Sequence, residues 1–204
     1  MASSKILLST TYFGPVQWYQ KLHRAEHVII EQWESFQKQT YRNRCLIATT
    51  NGVQALTVPV EKSAECIKDL RISDHGNWRH LHWNALQSAY GESPFFEYYQ
   101  DDIRPFFEER WTYLVDFNEA IRQKMCELID ILPDVTYSNT YIADAQTAGI
   151  ADFRAAIHPK HPAQDDDFTP KGYYQVYQTK HGFLKNLSIL DLLFNMGSES
   201  VFYL

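Results

Sequence analysis

The sequence contains few cysteines and no long apolar segment. Three cysteines are an odd number, and their spacing matches no metal-binding motif, so we expect no disulfide framework and a reducing compartment. They are Cys45, Cys66 and Cys126. The apolar run 6–8 is too short for the core of a signal peptide, and nowhere do about eighteen apolar residues follow one another. We therefore predict a cytoplasmic protein without an integral membrane segment.

The sequence also lacks an excess of positive charge and the short motifs of several enzyme classes. A net charge of −6 gives no general attraction for nucleic acid, so any anion site has to be local. A Gly-rich phosphate loop, a Gly-x-Ser-x-Gly elbow and a Cys-x-x-Cys pair are all absent. His158 and His161 lie near three aspartates, but a proline follows each histidine, and we predict no metal site. Whether the protein uses a cofactor is left open by the sequence.

The remaining composition is that of one globular domain. The chain has 204 residues, of which 45% are hydrophobic, 22% charged and 15% aromatic. These values argue against disorder, and no linker or repeat is visible, so residues 1–204 are interpreted as a single domain. The high aromatic content suits either pocket walls or simply an aromatic-rich core.

The pattern of apolar residues predicts an α/β fold. Short apolar runs predict strands at 6–9, 28–31, 45–48 and 55–60, with a hairpin turn at Asn51-Gly52. Apolar spacing and caps predict helices at 15–24, 77–90, 95–100, 105–130 and 189–196. Weaker patterns indicate strands at 135–139 and 173–177 and a helix at 144–157. The prediction is a mixed β-sheet flanked by helices, strand-rich in the N-terminal third and helical in the middle.

The loop after the first strand is one candidate site. In open α/β sheets ligands bind beyond the carboxyl ends of the strands. A helix that begins there presents free N–H groups and a positive dipole end, which favour a phosphate or carboxylate. Tyr12 and Gln17 lie in this segment and are predicted to bind substrate through directed hydrogen bonds. The alternative is an ordinary connecting turn.

The segment Arg42-Asn43-Arg44 is a second candidate. If it is extended, the two arginines point to one face, where their charges repel unless an anion lies between them. Guanidinium groups bind phosphate or carboxylate with two parallel hydrogen bonds. We predict that all three residues bind substrate. The alternative is a structural network in which the arginines pair with Glu31, Glu34 or another carboxylate.

Three polar residues on predicted helices are candidate site residues: His82 and Asp191 are predicted to be catalytic, and Asn195 is predicted to bind substrate. His82 falls on the apolar face of the helix at 77–90, where it would be a general base or a hydrogen-bonded core residue. Asp191 and Asn195 are four residues apart on the last helix and therefore share a face. That face is either part of a site or one polar seam of a packing helix.

Five segments, in order along nearly the whole chain, resemble landmarks of the WbqC-like family. They read YFGPVQWYQKL, KQTYRNRC, NGVQALTVPV, SPFFEYYQDD and GFLKNLSILDLLFNMG. Many members open with a His-Gln-Pro-like element after the first strand, and this chain has residues 9–12, Ser-Thr-Thr-Tyr, in that place. The resemblance implies a role in making O antigen or a related surface glycan. It also marks recurring family positions, namely Asn43, Arg44, His82, Ser188, Asp191 and Asn195.

Three functions fit these observations. The first is a transferase acting on a nucleotide- or lipid-linked sugar, in which Arg42 and Arg44 hold the diphosphate and His82 is the general base. The second is a non-catalytic binding or scaffold protein in a glycan-assembly complex. The third is a metal-dependent hydrolase that uses the histidines. The expected partner for the first is a phosphate-bearing small molecule such as a nucleotide sugar, and the oligomeric state is left open.

Overall fold

A parallel sheet forms the centre of the fold. The computed structural model describes residues 4–61 and 64–204. Within them, strands β1 (Lys5–Ser9), β2 (His27–Glu31), β5 (Val135–Tyr137) and β6 (Ala151–Asp152) form a sheet in the order β5-β2-β1-β6, with every pairing parallel. Helix α1 (Val16–Arg24) connects β1 to β2. All four strands therefore end at the same edge of the sheet.

Both faces of this sheet are covered, as parallel sheets require. On one face Ile6, Leu8, Val28 and Ile30 join the main hydrophobic core. On the other face Leu7 and Ile29 pack with a smaller cluster that contains residues 145 and 150. The alternation follows from the two-residue period of a strand, which sends neighbouring side chains to opposite faces.

An antiparallel hairpin lies beside the sheet. Strands β3 (Arg44–Thr49) and β4 (Gly52–Thr57) pair in register from Arg44 opposite Thr57 to Thr49 opposite Gly52. The turn is the predicted one, and Gly52 has a φ of 103°, which an L side chain rarely adopts. The α/β prediction is thus confirmed. The parallel and antiparallel pairings, however, occupy two separate sheets.

Helices build the remainder of the core. They are α2 (Trp78–Tyr90), α3 (Phe96–Ile103), α4 (Pro105–Glu108), α5 (Leu114–Leu128), α6 (Gln178–His181) and α7 (Ile189–Met196). Ser188 caps α7, since its hydroxyl accepts a hydrogen bond from the Leu190 N–H, and Gly197 follows the helix. In the part of the chain that the structure describes, no helix has the length and apolar character needed to cross a membrane.

Three predicted elements were wrong. The helix predicted at 105–130 is broken between α4 and α5, because Tyr113 is extended and bridges to Arg71. The helix predicted at 144–157 is replaced by turns and by β6, which pairs with β1. Residues 173–177 form no strand, and their side chains hold them against α7 instead. In each case a tertiary contact outweighs a local pattern.

Candidate functional site

A cleft of about 570 Å³ lies between the segment 35–44 and the segments 57–61 and 64–70. Its wall includes Arg44, the first residue of β3, and Thr57, the last residue of β4, which face each other across the hairpin. Phe36, Val58 and other apolar side chains line it as well. Its volume is in the range of small-molecule sites in proteins.

Arg44 is the main cationic group of this cleft. It is half-buried, and its Nε donates a hydrogen bond to the Thr57 hydroxyl at 3.0 Å. Among residues 4–61 and 64–204, no carboxylate lies within ion-pair distance of Arg44, and its two terminal nitrogens have no hydrogen-bond partner. The hydroxyl contact fixes the near side of the guanidinium. Its far side therefore remains available to an anion from outside.

Asn43 contributes a second unused polar group. Its side chain is only 5% exposed, and its Nδ2 donates to the Val58 carbonyl at 2.7 Å. Because that contact identifies the nitrogen of the amide, the other atom is the oxygen, an acceptor. This Oδ1 is buried without a partner in the described structure. A buried carbonyl oxygen without a donor is costly, and a ligand N–H or O–H that reached it would satisfy it.

The rim of the cleft carries charges of both signs. Lys38 adds a second positive charge, and Glu61 and Glu65 add two carboxylates. All three side chains are exposed, and within the described residues none has an ion-pair partner. The cleft can therefore offer cations to a phosphate and carboxylates to hydroxyl or amino groups.

Arg42 points away from this cleft. Residues 41–43 form a turn and are not extended, so Arg42 and Arg44 do not share a face. Arg42 is 4% exposed, and its Nε and Nη2 donate to the two carboxylate oxygens of Glu34 at 2.7 and 2.6 Å. Its Nη2 also donates to the Ser9 hydroxyl at 2.8 Å. Arg42 thus forms the structural ion pair with Glu34 that was the alternative to substrate binding.

The carboxyl edge of the parallel sheet is filled by the protein itself. Glu31 is fully buried and accepts hydrogen bonds from the Ser138 hydroxyl at 2.6 Å and from the Trp33 and Ile142 N–H groups. Arg154 lies 3.4 Å from the same carboxylate. The cavity at this edge measures about 10 Å³, which holds about one water molecule. The usual ligand position of an α/β sheet is closed here.

His82 and Tyr12 form a buried pair behind the cleft. The Tyr12 hydroxyl and His82 Nδ1 are 2.9 Å apart, and neither residue lines the cleft. Burial lowers the pKa of His82 to about 4, and a hydrogen bond with the Thr57 backbone offsets only part of this shift. His82 is therefore a neutral core residue at pH 7. Through Thr57 it supports the strand end that holds Arg44.

Asp191 and Asn195 are also core residues. The Asp191 carboxylate is fully buried and accepts hydrogen bonds from Tyr90, Tyr173 and Gln175 at 2.7–2.9 Å. Burial raises the pKa of Asp191, and these three donors oppose the rise. Asn195 Nδ2 donates to the Asp191 carbonyl at 2.7 Å. This network joins α7 to α2 and to the 173–177 segment.

Gln17 and the histidine pair likewise serve contacts within the chain. Gln17 Nε2 donates to Asp165 at 2.8 Å, and its Oε1 accepts from Asn186. The His158 and His161 rings lie 5.5 Å apart, and His158 Nδ1 accepts two backbone N–H groups. Within residues 4–61 and 64–204, no group of three metal-binding side chains is present.

Comparison with known proteins identifies the family. The model of the WbqC-like protein family matches residues 10–203. The chain belongs to the WbqC-like family. An uncharacterised protein of Mycobacterium tuberculosis H37Rv, Rv1507c, is 30% identical to this WbqC-like protein over 203 aligned positions, which cover 88% of each chain. No solved structure matches it.

Two of the five segments that resemble the family meet around β3 in this WbqC-like protein. Residues 41–45 lead into the strand, and residues 186–197 include the cap and helix α7. The Ser188 N–H donates to the Leu46 carbonyl at 2.8 Å, and the Tyr12 N–H donates to the Tyr41 carbonyl at 2.9 Å. These contacts fix the start of β3 from both sides. They therefore set the position from which Arg44 enters the cleft.

Of the residues predicted from sequence, only Asn43 and Arg44 line the cleft. Tyr12 pairs with His82 and Asp191 with Asn195, while Gln17 and Arg42 lie in separate networks. No sequence motif singles out Phe36, Thr57 or Glu61. Their positions depend on how the 35–44 segment folds over the end of the hairpin, and no local motif marks that contact.

Proposed function

We propose that this WbqC-like protein is a transferase that acts on a nucleotide- or lipid-linked sugar during synthesis of a bacterial surface polysaccharide such as O antigen. The observation that carries the proposal is the half-buried Arg44 guanidinium at a cleft, whose two terminal nitrogens have no partner among residues 4–61 and 64–204. We place this activity in the cytoplasm, in keeping with three cysteines that form no disulfide.

The chemistry of the cleft suits a phosphorylated sugar. Arg44 and Lys38 would bind the phosphate oxygens with charge-assisted hydrogen bonds. The unpartnered Asn43 Oδ1 would accept a hydrogen bond from a sugar hydroxyl or amide, and Phe36 would pack against a ring. Arg42 has no part in this arrangement because Glu34 already neutralises it.

The acid–base role passes to other residues in this proposal. His82 lies outside the cleft, so it cannot reach a ligand bound there without a rearrangement of β4. The Glu61 and Glu65 carboxylates line the cleft and are free of ion pairs within the described residues. Either one is a candidate general base for an acceptor hydroxyl or amine.

A thermal-shift screen with nucleotide sugars at millimolar concentration tests the proposal. We expect at least one of them to raise the melting temperature of the wild-type protein. The variant Arg44→Ala should bind that compound about 10- to 100-fold more weakly, because a hydrogen bond to a charged group contributes about 1.5–3 kcal/mol. Isothermal titration calorimetry measures the loss.

The matched control is Lys185→Ala, which removes one exposed positive charge outside the cleft. It should bind as the wild type does. The proposal is contradicted if no nucleotide sugar shifts the melting temperature, or if Arg44→Ala and Lys185→Ala bind with equal affinity. Binding without turnover, for any acceptor, would favour the scaffold function over the transferase.

A further inference from the structure

A second cavity, of about 360 Å³, lies at the amino end of α2 and beside α4. Three arginines line it, against two carboxylates, so its wall has one positive charge in excess on a chain whose net charge is −6. The arginines are Arg79, Arg104 and Arg110, and the carboxylates are Asp74 and Glu108. This cavity shares no lining residue with the cleft at Arg44.

Arg79 is held rigidly and has one unused nitrogen. Its Nη1 donates to Asp74 at 2.6 Å, its Nε donates to the Glu109 carbonyl at 3.1 Å, and its guanidinium lies 4.6 Å from the centre of the Trp78 ring. Its Nη2 is buried and has no hydrogen-bond partner in the described structure. A buried, charged N–H group without an acceptor is unfavourable, and an oxyanion that reached it would satisfy it.

The other two arginines of the cavity have exposed side chains. The Arg104 and Arg110 side chains are 55% and 83% exposed. Arg104 pairs with Glu108 at 2.6 Å, whereas Arg110 reaches only 3.4 Å from Asp74, a carboxylate that Arg79 already engages. Arg79 and Arg110 thus share the Asp74 carboxylate, and one of the two guanidinium groups has capacity for another anion.

We propose that this cavity, named here the arginine pocket, is a second anion site that binds the phosphate group of a small molecule. Arg79 Nη2 is the fixed donor, and Arg104 and Arg110 supply the further hydrogen bonds that a phosphate accepts. The amino end of α2 adds the positive end of a helix dipole. Trp83 and Phe107 also line the pocket and would contact a ring attached to the phosphate.

Isothermal titration calorimetry with inorganic pyrophosphate tests the arginine pocket independently of the proposed function. The double variant R104A/R110A changes only exposed side chains. It should weaken pyrophosphate binding at the arginine pocket at least about tenfold. R79K keeps the charge but removes the unpartnered nitrogen, and it should also weaken pyrophosphate binding at the arginine pocket. R44A should leave binding at the arginine pocket unchanged, and K185A should bind pyrophosphate as the wild type does.

The expected pattern is a pyrophosphate site that survives in R44A and is lost in R104A/R110A. The inference is overturned if R104A/R110A binds as the wild type does, if R44A abolishes all binding, or if wild-type protein binds no pyrophosphate at millimolar concentration. Failure of nucleotide sugars at the Arg44 cleft with retention of this pattern would remove the proposed function and leave the arginine pocket standing.

Discussion

The substitution Glu34→Ala is expected to lower the free energy of unfolding by about 3–5 kcal/mol, the range measured when one partner of a buried ion pair is removed. Arg42 is 4% exposed and directs two nitrogens at the Glu34 carboxylate. Without Glu34 the guanidinium would remain buried with only the Ser9 hydroxyl as a side-chain partner. Urea denaturation followed by circular dichroism measures the change.

Two further variants distinguish the stability lost by breaking the buried ion pair from the stability lost by removing any carboxylate. Glu92→Ala removes an exposed carboxylate that has no ion pair within the described residues, and should change stability by less than about 0.5 kcal/mol. The double variant E34A/R42M should be more stable than E34A alone, because no buried charge then lacks a partner. An E34A protein within about 1 kcal/mol of wild type would show that Arg42 is not the buried, paired group described here.

The second large effect concerns pH. Burial lowers the pKa of His82 to about 4 from its ordinary value of 6.5. The unfolded chain therefore binds a proton at this residue below pH 6.5, whereas the folded protein does so only near pH 4. The contribution of His82 to the free energy of unfolding is therefore fully present above pH 6.5. It decreases as the pH falls, and the loss reaches about 3 kcal/mol at pH 4.

The variant His82→Gln should lack this loss. Glutamine keeps a hydrogen-bonding group near Tyr12 but does not titrate, so its free energy of unfolding should fall less steeply between pH 6.5 and 4. The matched control is His80→Gln, an exposed histidine two residues away on α2, which should keep the wild-type slope. Equal slopes for wild type and His82→Gln would mean that His82 is accessible to protons, as a general base in a cleft would be.

The sequence predicted the elements whose stability is local. The hairpin at Asn51-Gly52 and the capped helix α7 were found because a turn requires particular backbone angles and a helix start requires a cap. Helix α5 was found with the wrong start, because only the bridge between Arg71 and Tyr113 interrupts an otherwise helical pattern. Contacts between distant segments leave no such local signature.

Because contacts between distant segments leave no local signature, the candidate site could be predicted only in part. Asn43 and Arg44 were recognisable as polar residues at the start of a strand. That Arg42 would turn inward to Glu34 depends on the turn at 41–43, which the sequence pattern did not indicate. The first function requires His82 beside the arginines as general base, but His82 is buried in the core and does not line the cleft with Arg44, and Asp191 is buried as well.

The binding of a phosphate-bearing sugar compound at Arg44 is best tested by a crystal structure of the protein with the nucleotide sugar that most stabilises it. Phosphate oxygens should lie within hydrogen-bond distance of the Arg44 terminal nitrogens, and a ligand donor should lie at Asn43 Oδ1. A ligand whose phosphates lie elsewhere, in the arginine pocket or at the edge of the parallel sheet, with the Arg44 cleft empty, would contradict binding at Arg44.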